Sequence, residues 1–155
     1  MSRSLHRSPR RFAVRASTIH GRGVFALTHI AKGKRVIEYK GEHISHKEAD
    51  RRYGDRHARS PHTMLFTLDE KIVIDATRRG NSARWINHSC QPNCEAVEDK
   101  RRIFIDTRTA VRAGEELTYD YNLQLDEPHT AAAKRRHQCC CGARRCRGTL
   151  LGSKR

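Results

Sequence analysis

Short apolar runs, separated by glycine-containing or charged turns, dominate the chain and predict a fold made mostly of β-strands. Residues 12–27, FAVRASTIHGRGVFAL, predict a strand, a loop at Gly-Arg-Gly and a second strand. Residues 33–44, GKRVIEYKGEHI, repeat this pattern. Residues 63–76, TMLFTLDEKIVIDA, predict a hairpin that turns at Asp69 and Glu70. The class that follows is mainly β, a β-rich α+β fold.

Helical segments are fewer than strands. Residues 45–58, SHKEADRRYGDRHA, are polar and compatible with a helix, and Ser45 and Glu48 have the spacing of a capping box. Residues 81–88, NSARWINH, predict a short helix that stops before Pro92. Three further strands are then predicted, CEAV at 94–97, RIFIDT at 102–107 and ELTYDY at 116–121, with turns at 99–100 and at Gly114.

The 155 residues suffice for one domain with its own hydrophobic core. We expect a basic arm at 1–11, the main domain at 12–125, a polar linker or insertion at 126–138 and a cysteine-bearing tail at 139–155. The sequence contains no run of about eighteen apolar residues, and no apolar stretch typical of a secretory signal follows the basic N-terminus. A soluble, intracellular monomer without membrane contact is expected, in the cytoplasm or nucleoid of a bacterium or the nucleus of a eukaryote.

The formal net charge of +15 is concentrated at the two ends of the chain. Residues 1–37 hold nine Lys or Arg and no acid, and residues 128–155 hold eight and no acid, whereas residues 38–127 hold fifteen bases and seventeen acids. Basic ends around a balanced centre are typical of arms that contact polyanions such as nucleic acid. A surface that only keeps the protein in solution is an equally weighted alternative.

Four of the six cysteines lie within CCCGARRC near the C-terminus. This clustering, without a secretory signal, favours metal-bound thiolates over disulfides or free thiols. In an extended segment Cys139 and Cys141 point one way and Cys140 the other. The first two would join Cys146 as three ligands of a tetrahedral, structural zinc. The residues leave three choices for the fourth ligand: Cys90, Cys94 or a histidine such as His137.

Two further segments, ARWINHSCQPNCEA and GEELTYDYN, carry candidate chemistry. Tyr119 and Tyr121 are two residues apart on a predicted strand and therefore share a face, although simple core packing is an even alternative. A nucleophile at Ser89 or Cys90 would need a general base and a group that orients it. The neighbouring His88 is poorly placed for this role, because adjacent side chains rarely meet, so nucleophilic catalysis is the weaker hypothesis.

Five segments in order resemble the SET-domain protein lysine methyltransferases with a post-SET zinc tail: HGRGVFA, VIEYKGE, IDATRRGNSARWINHSCQPNC, GEELTYDY and CCCGARRCRG. The resemblance covers residues 12–151 and includes the intact Asn-His-Ser-Cys-x-Pro-Asn block. It implies small β-sheets, with the Asn-His segment and the Tyr strand crossing in a pseudoknot. It also implies methyl transfer from S-adenosylmethionine to the ε-amine of lysine in a basic protein, such as a histone or histone-like protein.

The resemblance also implies roles for individual residues. The S-adenosylmethionine pocket would be lined by the backbone of Gly21, Arg22 and Gly23, held by Asn87 and His88, and closed over the adenine by Leu150. Tyr121 matches the catalytic tyrosine, Tyr39 a second active-site tyrosine, and Tyr119 a position where Tyr limits the number of methyl groups added. One structural zinc per chain would be bound by Cys90, Cys139, Cys141 and Cys146.

Two other classes of protein compete with this interpretation. A non-catalytic zinc-stapled module would use its Arg-rich ends to bind nucleic acid, and a thiol or serine hydrolase is a distant third. The tyrosine set beside an intact Asn-His pair favours the enzyme. For a basic substrate, the nine acids between Glu95 and Glu127 could form an acidic groove, or the basic ends could hold the enzyme on DNA beside its substrate.

Overall fold

A computed structural model describes residues 9–59, 64–125 and 127–153. Most of the predicted N-terminal arm therefore lies outside the described residues. None of the helices within these ranges is both long and apolar enough to cross a membrane. The elements in chain order are β1 (Phe12–Ala16), β2 (Arg22–Ala26), β3 (Arg35–Tyr39), β4 (Glu42–Ser45), α1 (His46–Arg59), β5 (Leu65–Thr67), β6 (Ile72–Asp75), a 3-10 helix (Ser82–Trp85), β7 (Asn87–His88), β8 (Cys94–Asp99), β9 (Arg102–Thr107), β10 (Glu116–Tyr119) and α2 (Ala131–Arg136).

The strands form three small sheets, which confirms the mainly β prediction. The first sheet has the order β1-β2-β10-β7, the second β3-β9-β8 and the third β4-β6-β5. The predicted hairpin β5–β6 is present and antiparallel, and the successive strands predicted at β1–β2 and β8–β9 also pair antiparallel. Residues from all three sheets bury their apolar side chains in one core, among them Val24, Leu117, Ile105 and Ile74. The burial of one such side chain stabilises the folded state by roughly 1.5 to 3 kcal/mol.

Element boundaries differ from the prediction in several places. The short helix predicted over residues 81–88 is a 3-10 helix at Ser82–Trp85, and the last two residues, Asn87–His88, form β7 because they pair with β10. The turn between β8 and β9 lies at Lys100 and Arg101, both with positive φ, one residue later than predicted. β10 ends at Tyr119, so Tyr121 lies beyond the strand. At this point the chain leaves regular pairing because the backbone N–H of Tyr121 donates to the His88 ring instead. Side-chain acceptors of this kind cannot be recognised from apolar alternation.

Helix α1 begins as predicted but with only half of a capping box. The backbone N–H of Glu48 donates to Ser45 Oγ at 3.1 Å, whereas the Glu48 carboxylate binds Arg51 and Arg52. Arg52 also contacts the fully buried Asp75 at 3.0 Å. These ion pairs hold the helix against the third sheet, which carries Phe66 on β5.

The short strand β7 pairs with β10 in parallel, and this pairing builds the site. Thr118 faces Asn87 and Tyr119 faces His88. The pair continues beyond the strands, since the backbone N–H of Ser89 donates to the Tyr119 carbonyl at 3.2 Å. The Asn-His segment and the Tyr strand therefore lie side by side, as the resemblance implies.

The C-terminal tail packs against the end of this sheet. Isolated bridges join Leu123 to Leu151 and Gln138 to Thr149, and the side chains of Leu150 and Leu151 are buried. Helix α2 falls inside the predicted linker or insertion at 126–138. The domain boundaries themselves stay a prediction.

Candidate active site and zinc site

A cavity lies between the β7–β10 pair and the C-terminal tail, and two different parts of the chain form it. We call Ile19, His20, Asn87, His88 and Tyr121 the strand-built wall. We call Gln138, Cys139, Cys140 and Leu150 the tail-built wall. The structure thus brings Asn87, His88, Tyr121 and Leu150, four of the predicted site residues, to one cavity.

The Asn87 amide holds the loop that precedes β2. Its Nδ2 lies 3.1 Å from the His20 carbonyl, 2.8 Å from the Arg22 carbonyl and 2.9 Å from Glu116 Oε1. Among the described residues, no hydrogen bond uses the Asn87 side-chain oxygen, and this atom is not fully buried. Oδ1 is therefore open to a ligand that donates hydrogen bonds.

The Glu116 side chain also holds the loop that precedes β2, and sequence reasoning missed this residue. Its carboxylate accepts from Ser17 Oγ at 2.8 and 2.9 Å as well as from Asn87. Ser17 Oγ in turn accepts from the backbone N–H of Ile19 at 3.0 Å. The only sequence signal was that Glu116 stands inside the GEELTYDY segment, since Ser17 lies 99 residues away.

The two glycines of the HGRG loop are needed for different reasons, Gly21 for its backbone conformation and Gly23 for the space that a side chain would fill. Gly21 has φ +43°, in the left-handed region that side chains disfavour. A Cβ on Gly23 would stand 2.1 Å from Glu116 Oε1, so glycine leaves room for the anchoring carboxylate. The guanidinium of Arg22 lies over the Trp85 ring at 5.3 Å. Ile19 and His20, directly before this triplet, line the cavity, and the cofactor role of Gly21, Arg22 and Gly23 stays a prediction.

The His88 ring connects the tyrosine segment to the cysteine cluster. Its Nδ1 accepts from the backbone N–H of Tyr121 at 3.0 Å, and its Nε2 lies 3.3 Å from Cys90 Sγ. Burial lowers the pKa of His88 to about 4, so the ring is neutral at physiological pH. With Nδ1 accepting, the proton sits on Nε2 and points at the sulfur. Both ring nitrogens are therefore engaged within the protein.

Four aromatic rings continue from the cavity into the domain, and we call them the aromatic channel: Tyr39, Phe66, Tyr119 and Tyr121. Successive ring centroids are 5.3, 6.3 and 4.8 Å apart. Sequence reasoning named the three tyrosines but missed Phe66, which the third sheet contributes. Because the rings come from three sheets, this channel depends on the whole fold.

The tyrosine hydroxyls of the channel are protonated and two of them are open. Burial raises the pKa of Tyr39, Tyr119 and Tyr121, so none of them forms a phenolate at neutral pH. Tyr121 Oη donates to the Ile86 carbonyl at 2.5 Å. Within the described parts of the chain, the hydroxyls of Tyr39 and Tyr119 make no hydrogen bond. Neither hydroxyl oxygen is fully buried. Both can therefore meet a substrate.

The sulfur atoms of Cys90, Cys139, Cys141 and Cys146 all lie within 4.8 Å of one another. Cys90 Sγ is 3.8 Å from Cys139 Sγ and 3.9 Å from Cys146 Sγ. A zinc ion with Zn–S bonds of about 2.3 Å in a tetrahedron places its sulfurs roughly 3.8 Å apart, so the cluster fits zinc. These separations are far longer than a disulfide bond, and all six cysteines are free.

Backbone N–H groups support the cluster as thiolates. Cys139 Sγ accepts from Cys141, Cys90 Sγ from Arg147 and Cys146 Sγ from Gly148, each at 3.3 Å. Although burial opposes ionisation, hydrogen bonds from the neighbouring groups lower the pKa of Cys141 to about 6, whereas burial raises the pKa of Cys90 and of Cys139. Thiolates are the form that binds zinc, and Cys141 is the cysteine that this environment favours in that form.

The structure separates the fourth ligand from the other candidates. Cys94 is fully buried in the core on β8, and His137 uses Nδ1 to contact the Ala133 carbonyl at 3.0 Å. Cys140 is exposed and stands outside the cluster, as alternation predicted. Of the residues that the structure describes, Cys90 is the one that completes the set.

Comparison with known proteins agrees with this geometry. Residues 21–122 match the family model described as "SET domain". The chain is 43% identical over 141 residues to "Histone-lysine N-methyltransferase set-2" of Caenorhabditis elegans, covering 86% of this chain and 9% of that protein. It is 43% identical over 146 residues to "Histone-lysine N-methyltransferase, H3 lysine-4 specific" of Schizosaccharomyces pombe, covering 86% and 14%. For human "Histone-lysine N-methyltransferase SETD1B" the identity is 40% over 141 residues, with 86% and 7% covered.

These relatives are much longer proteins, since the chain spans 14% or less of the length of each. The likeness therefore concerns one domain of each relative. The matched range includes all three channel tyrosines, Tyr39, Tyr119 and Tyr121, together with the Asn-His pair. The chain belongs to the SET-domain family.

Proposed function

We propose that the chain is an S-adenosylmethionine-dependent protein lysine N-methyltransferase that modifies a basic protein such as a histone. The observation that carries this proposal is the aromatic channel, which ends at the cavity beside Asn87 and His88 and keeps the Tyr39 and Tyr119 hydroxyls open. The relatives compared above are all named histone-lysine N-methyltransferases, which supports the same substrate class. A chromatin location follows from such a substrate.

The cavity is suited to S-adenosylmethionine. Asn87 Oδ1 is free to accept from its ammonium group, and Ile19 and Leu150 offer apolar contacts for a flat adenine ring. When bound, S-adenosylmethionine supplies an electrophilic methyl group on a positively charged sulfur. Because His88 uses both ring nitrogens internally, it would contact the cofactor through its backbone or ring face.

The aromatic channel solves a protonation problem for lysine. A lysine ammonium has a pKa of about 10.4, so deprotonation at pH 7.4 costs about 4 kcal/mol. Rings that remove water from the amine disfavour its charged form, and no tyrosinate in the channel restores that preference. The neutral hydroxyls can orient the amine without competing with it as nucleophiles. Positioning then provides most of the rate gain.

Labelled S-adenosylmethionine and a histone mixture test this proposal directly. We expect transfer to lysine by the wild type and a loss of roughly a hundredfold in Tyr121→Phe, since one oriented oxygen at the reacting centre is removed. Tyr53→Phe is the matched control, because the Tyr53 hydroxyl contacts Asp75 and Thr77 outside the site. Equal rates in Tyr121→Phe and Tyr53→Phe would contradict the role of Tyr121. No transfer by the wild type, with no cofactor binding, would favour the non-catalytic module.

Tyr119 provides a further test on the products. Its open hydroxyl occupies space in the channel beside Tyr121, so we propose that it limits the number of methyl groups added. Tyr119→Phe should shift the products toward higher methylation without removing activity. Mass spectrometry of the modified lysine measures this ratio, and an unchanged ratio would contradict the role.

The acidic groove receives little support from the structure. Among the described acids between Glu95 and Glu127, four are paired with arginine: Asp99, Asp106, Asp120 and Glu127. By contrast, Lys134 and Arg135 on α2 are exposed and appear in no ion pair of the described residues. We therefore propose that the basic ends contact nucleic acid beside the substrate.

Fluorescence anisotropy with a DNA duplex tests this contact. Lys134→Ala with Arg135→Ala should weaken binding and reduce the slope of log affinity against log salt by about two. Deletion of residues 1–11 should slow methylation of a nucleosomal substrate more than that of a free histone. No change in either measurement would leave the basic ends as a solubilising surface.

A further inference from the structure

The loop that carries three of the four zinc ligands is attached to the tyrosine segment by an ion pair between Arg147 and Asp120. Arg147 follows the ligand Cys146, and Asp120 stands between Tyr119 and Tyr121. The two guanidinium nitrogens lie 2.6 and 3.0 Å from the two carboxylate oxygens. Such a fork is the strongest geometry that an Arg–carboxylate pair adopts.

Arg147 is tied to the cluster at its other end. Its backbone N–H donates to Cys90 Sγ at 3.3 Å, so one residue contacts a zinc-ligand sulfur and the tyrosine segment simultaneously. The Asp120 carboxylate also accepts from the backbone N–H of Asn122 at 2.8 Å and lies 3.6 Å from His88 Nδ1. These contacts hold the carboxylate in place independently of the arginine.

We propose that Arg147 and Asp120 are positioning residues that dock the tail-built wall onto the tyrosine segment and thereby close the cofactor cavity. Among the described residues, the Arg147–Asp120 pair is the side-chain ion pair that joins the zinc loop to the segment directly after β10. Leu150, Cys139 and Cys140 of the tail-built wall lie on either side of Arg147 in sequence. Releasing the guanidinium would free this wall without removing any zinc ligand. The inference rests on the proposed function, since it assumes that the cavity holds S-adenosylmethionine.

The measurement is calorimetric binding of S-adenosylhomocysteine to the zinc-loaded protein, with zinc content and chelator-induced zinc release followed in parallel. Arg147→Gln should weaken binding about fivefold, which corresponds to the upper end of the free energies of partly exposed ion pairs. It should also accelerate zinc release, while one zinc per chain is retained. Arg145→Gln is the matched control, because its side chain is exposed and joins no ion pair of the described residues. Arg145→Gln should change neither quantity.

A double-mutant cycle separates positioning from a general loss of structure. Asp120→Asn alone and Arg147→Gln alone should each weaken binding, whereas the double variant should be no weaker than either single variant. The swapped pair Asp120→Arg with Arg147→Asp should recover part of the affinity. Additive losses in the double variant, or equal affinities for Arg147→Gln and Arg145→Gln, would overturn the proposal.

Steady-state kinetics give a second measurement, because a positioning role and a purely structural role affect KM and kcat differently. Loss of docking should raise the KM for S-adenosylmethionine by more than it lowers kcat, whereas partial unfolding would lower kcat alone. The two proposals fail differently. Normal methyl transfer with unchanged S-adenosylhomocysteine affinity in Arg147→Gln sinks the docking role, whereas absent transfer with the expected affinity change sinks only the methyltransferase.

Discussion

The two walls of the cavity are held by different forces. The strand-built wall is held by β-pairing and by hydrogen bonds that converge on Glu116, within the sheet that shares the main core. The tail-built wall belongs to a segment with one short helix and isolated bridges, and four cysteines fix it. One wall is therefore part of a sheet, whereas the other is held beside a cysteine cluster whose geometry fits a metal ion.

This difference implies that the two walls can be disturbed separately. A change in the three cluster cysteines of the tail should leave the core and the strand-built wall intact, since Cys90 is the one cysteine of the cluster that lies outside the tail. A change near Glu116 should weaken the HGRG loop while zinc stays bound. Substitutions in each wall can therefore show whether the two walls are independent.

Removal of a zinc ligand should have the largest effect. Cys146→Ser should lose the zinc and weaken S-adenosylhomocysteine binding by roughly a hundredfold or more, because zinc contributes folding energy to its loop. Metal analysis should find one zinc in the wild type, and calorimetry measures the affinity. Cys140→Ser, which changes an exposed thiol outside the cluster, is the control for zinc content. Cys90→Ser should resemble Cys146→Ser. Full zinc in Cys146→Ser would refute the ligand set.

Glu116→Gln should damage the strand-built wall alone. The amide NH2 of glutamine would face the Asn87 NH2, so a buried acceptor is lost at a cost of about 1 to 3 kcal/mol. S-adenosylhomocysteine affinity should fall while zinc content stays at one per chain. The neighbouring, exposed Glu115→Gln is the control and should bind normally. Zinc loss in Glu116→Gln would show that the walls are not independent.

Gly23→Ala should act through the same carboxylate. The new methyl group would stand where Glu116 Oε1 lies, so the carboxylate must move and its bonds to Ser17 and Asn87 weaken. We expect a loss of about 1 to 2 kcal/mol in stability, in the range of overpacked sites. A thermal unfolding series measures it. In a Glu116→Ala background the same substitution should cost less, and an equal cost there would exclude this explanation.

Arg22→Ala should have the smallest effect. Its side chain is exposed and contributes a cation–π contact with Trp85, worth about 0.5 to 1 kcal/mol at such a position. If the loop serves the cofactor through its backbone, affinity should change by less than about fivefold. A loss comparable with that of Glu116→Gln would assign the side chain a direct role.

Local features of the fold were predictable from the sequence because they depend on neighbours along the chain. Alternation placed the β5–β6 and β8–β9 hairpins, and the side-chain period of two separated Cys140 from Cys139 and Cys141. The resemblance added the long-range pairing of β7 with β10 and selected Cys90 from three candidates.

Features that combine distant segments were not predictable in the same way. Phe66 joins the aromatic channel from another sheet, and Glu116 meets Ser17 across 99 residues. The Arg147–Asp120 pair was also missed, since one charged residue among many carries no signal for its partner. The space that Gly23 leaves for the Glu116 carboxylate likewise depends on a residue far along the chain.

The position of β10 in its sheet also has a consequence for folding kinetics. The hairpins β5–β6 and β8–β9 pair neighbours and can form early, whereas β10 must find β2, far back along the chain. Closing so long a loop costs entropy before the contacts compensate for it, which slows folding. β10 therefore joins its sheet late, and until it does so the β7–β10 pair beside the cavity is not formed.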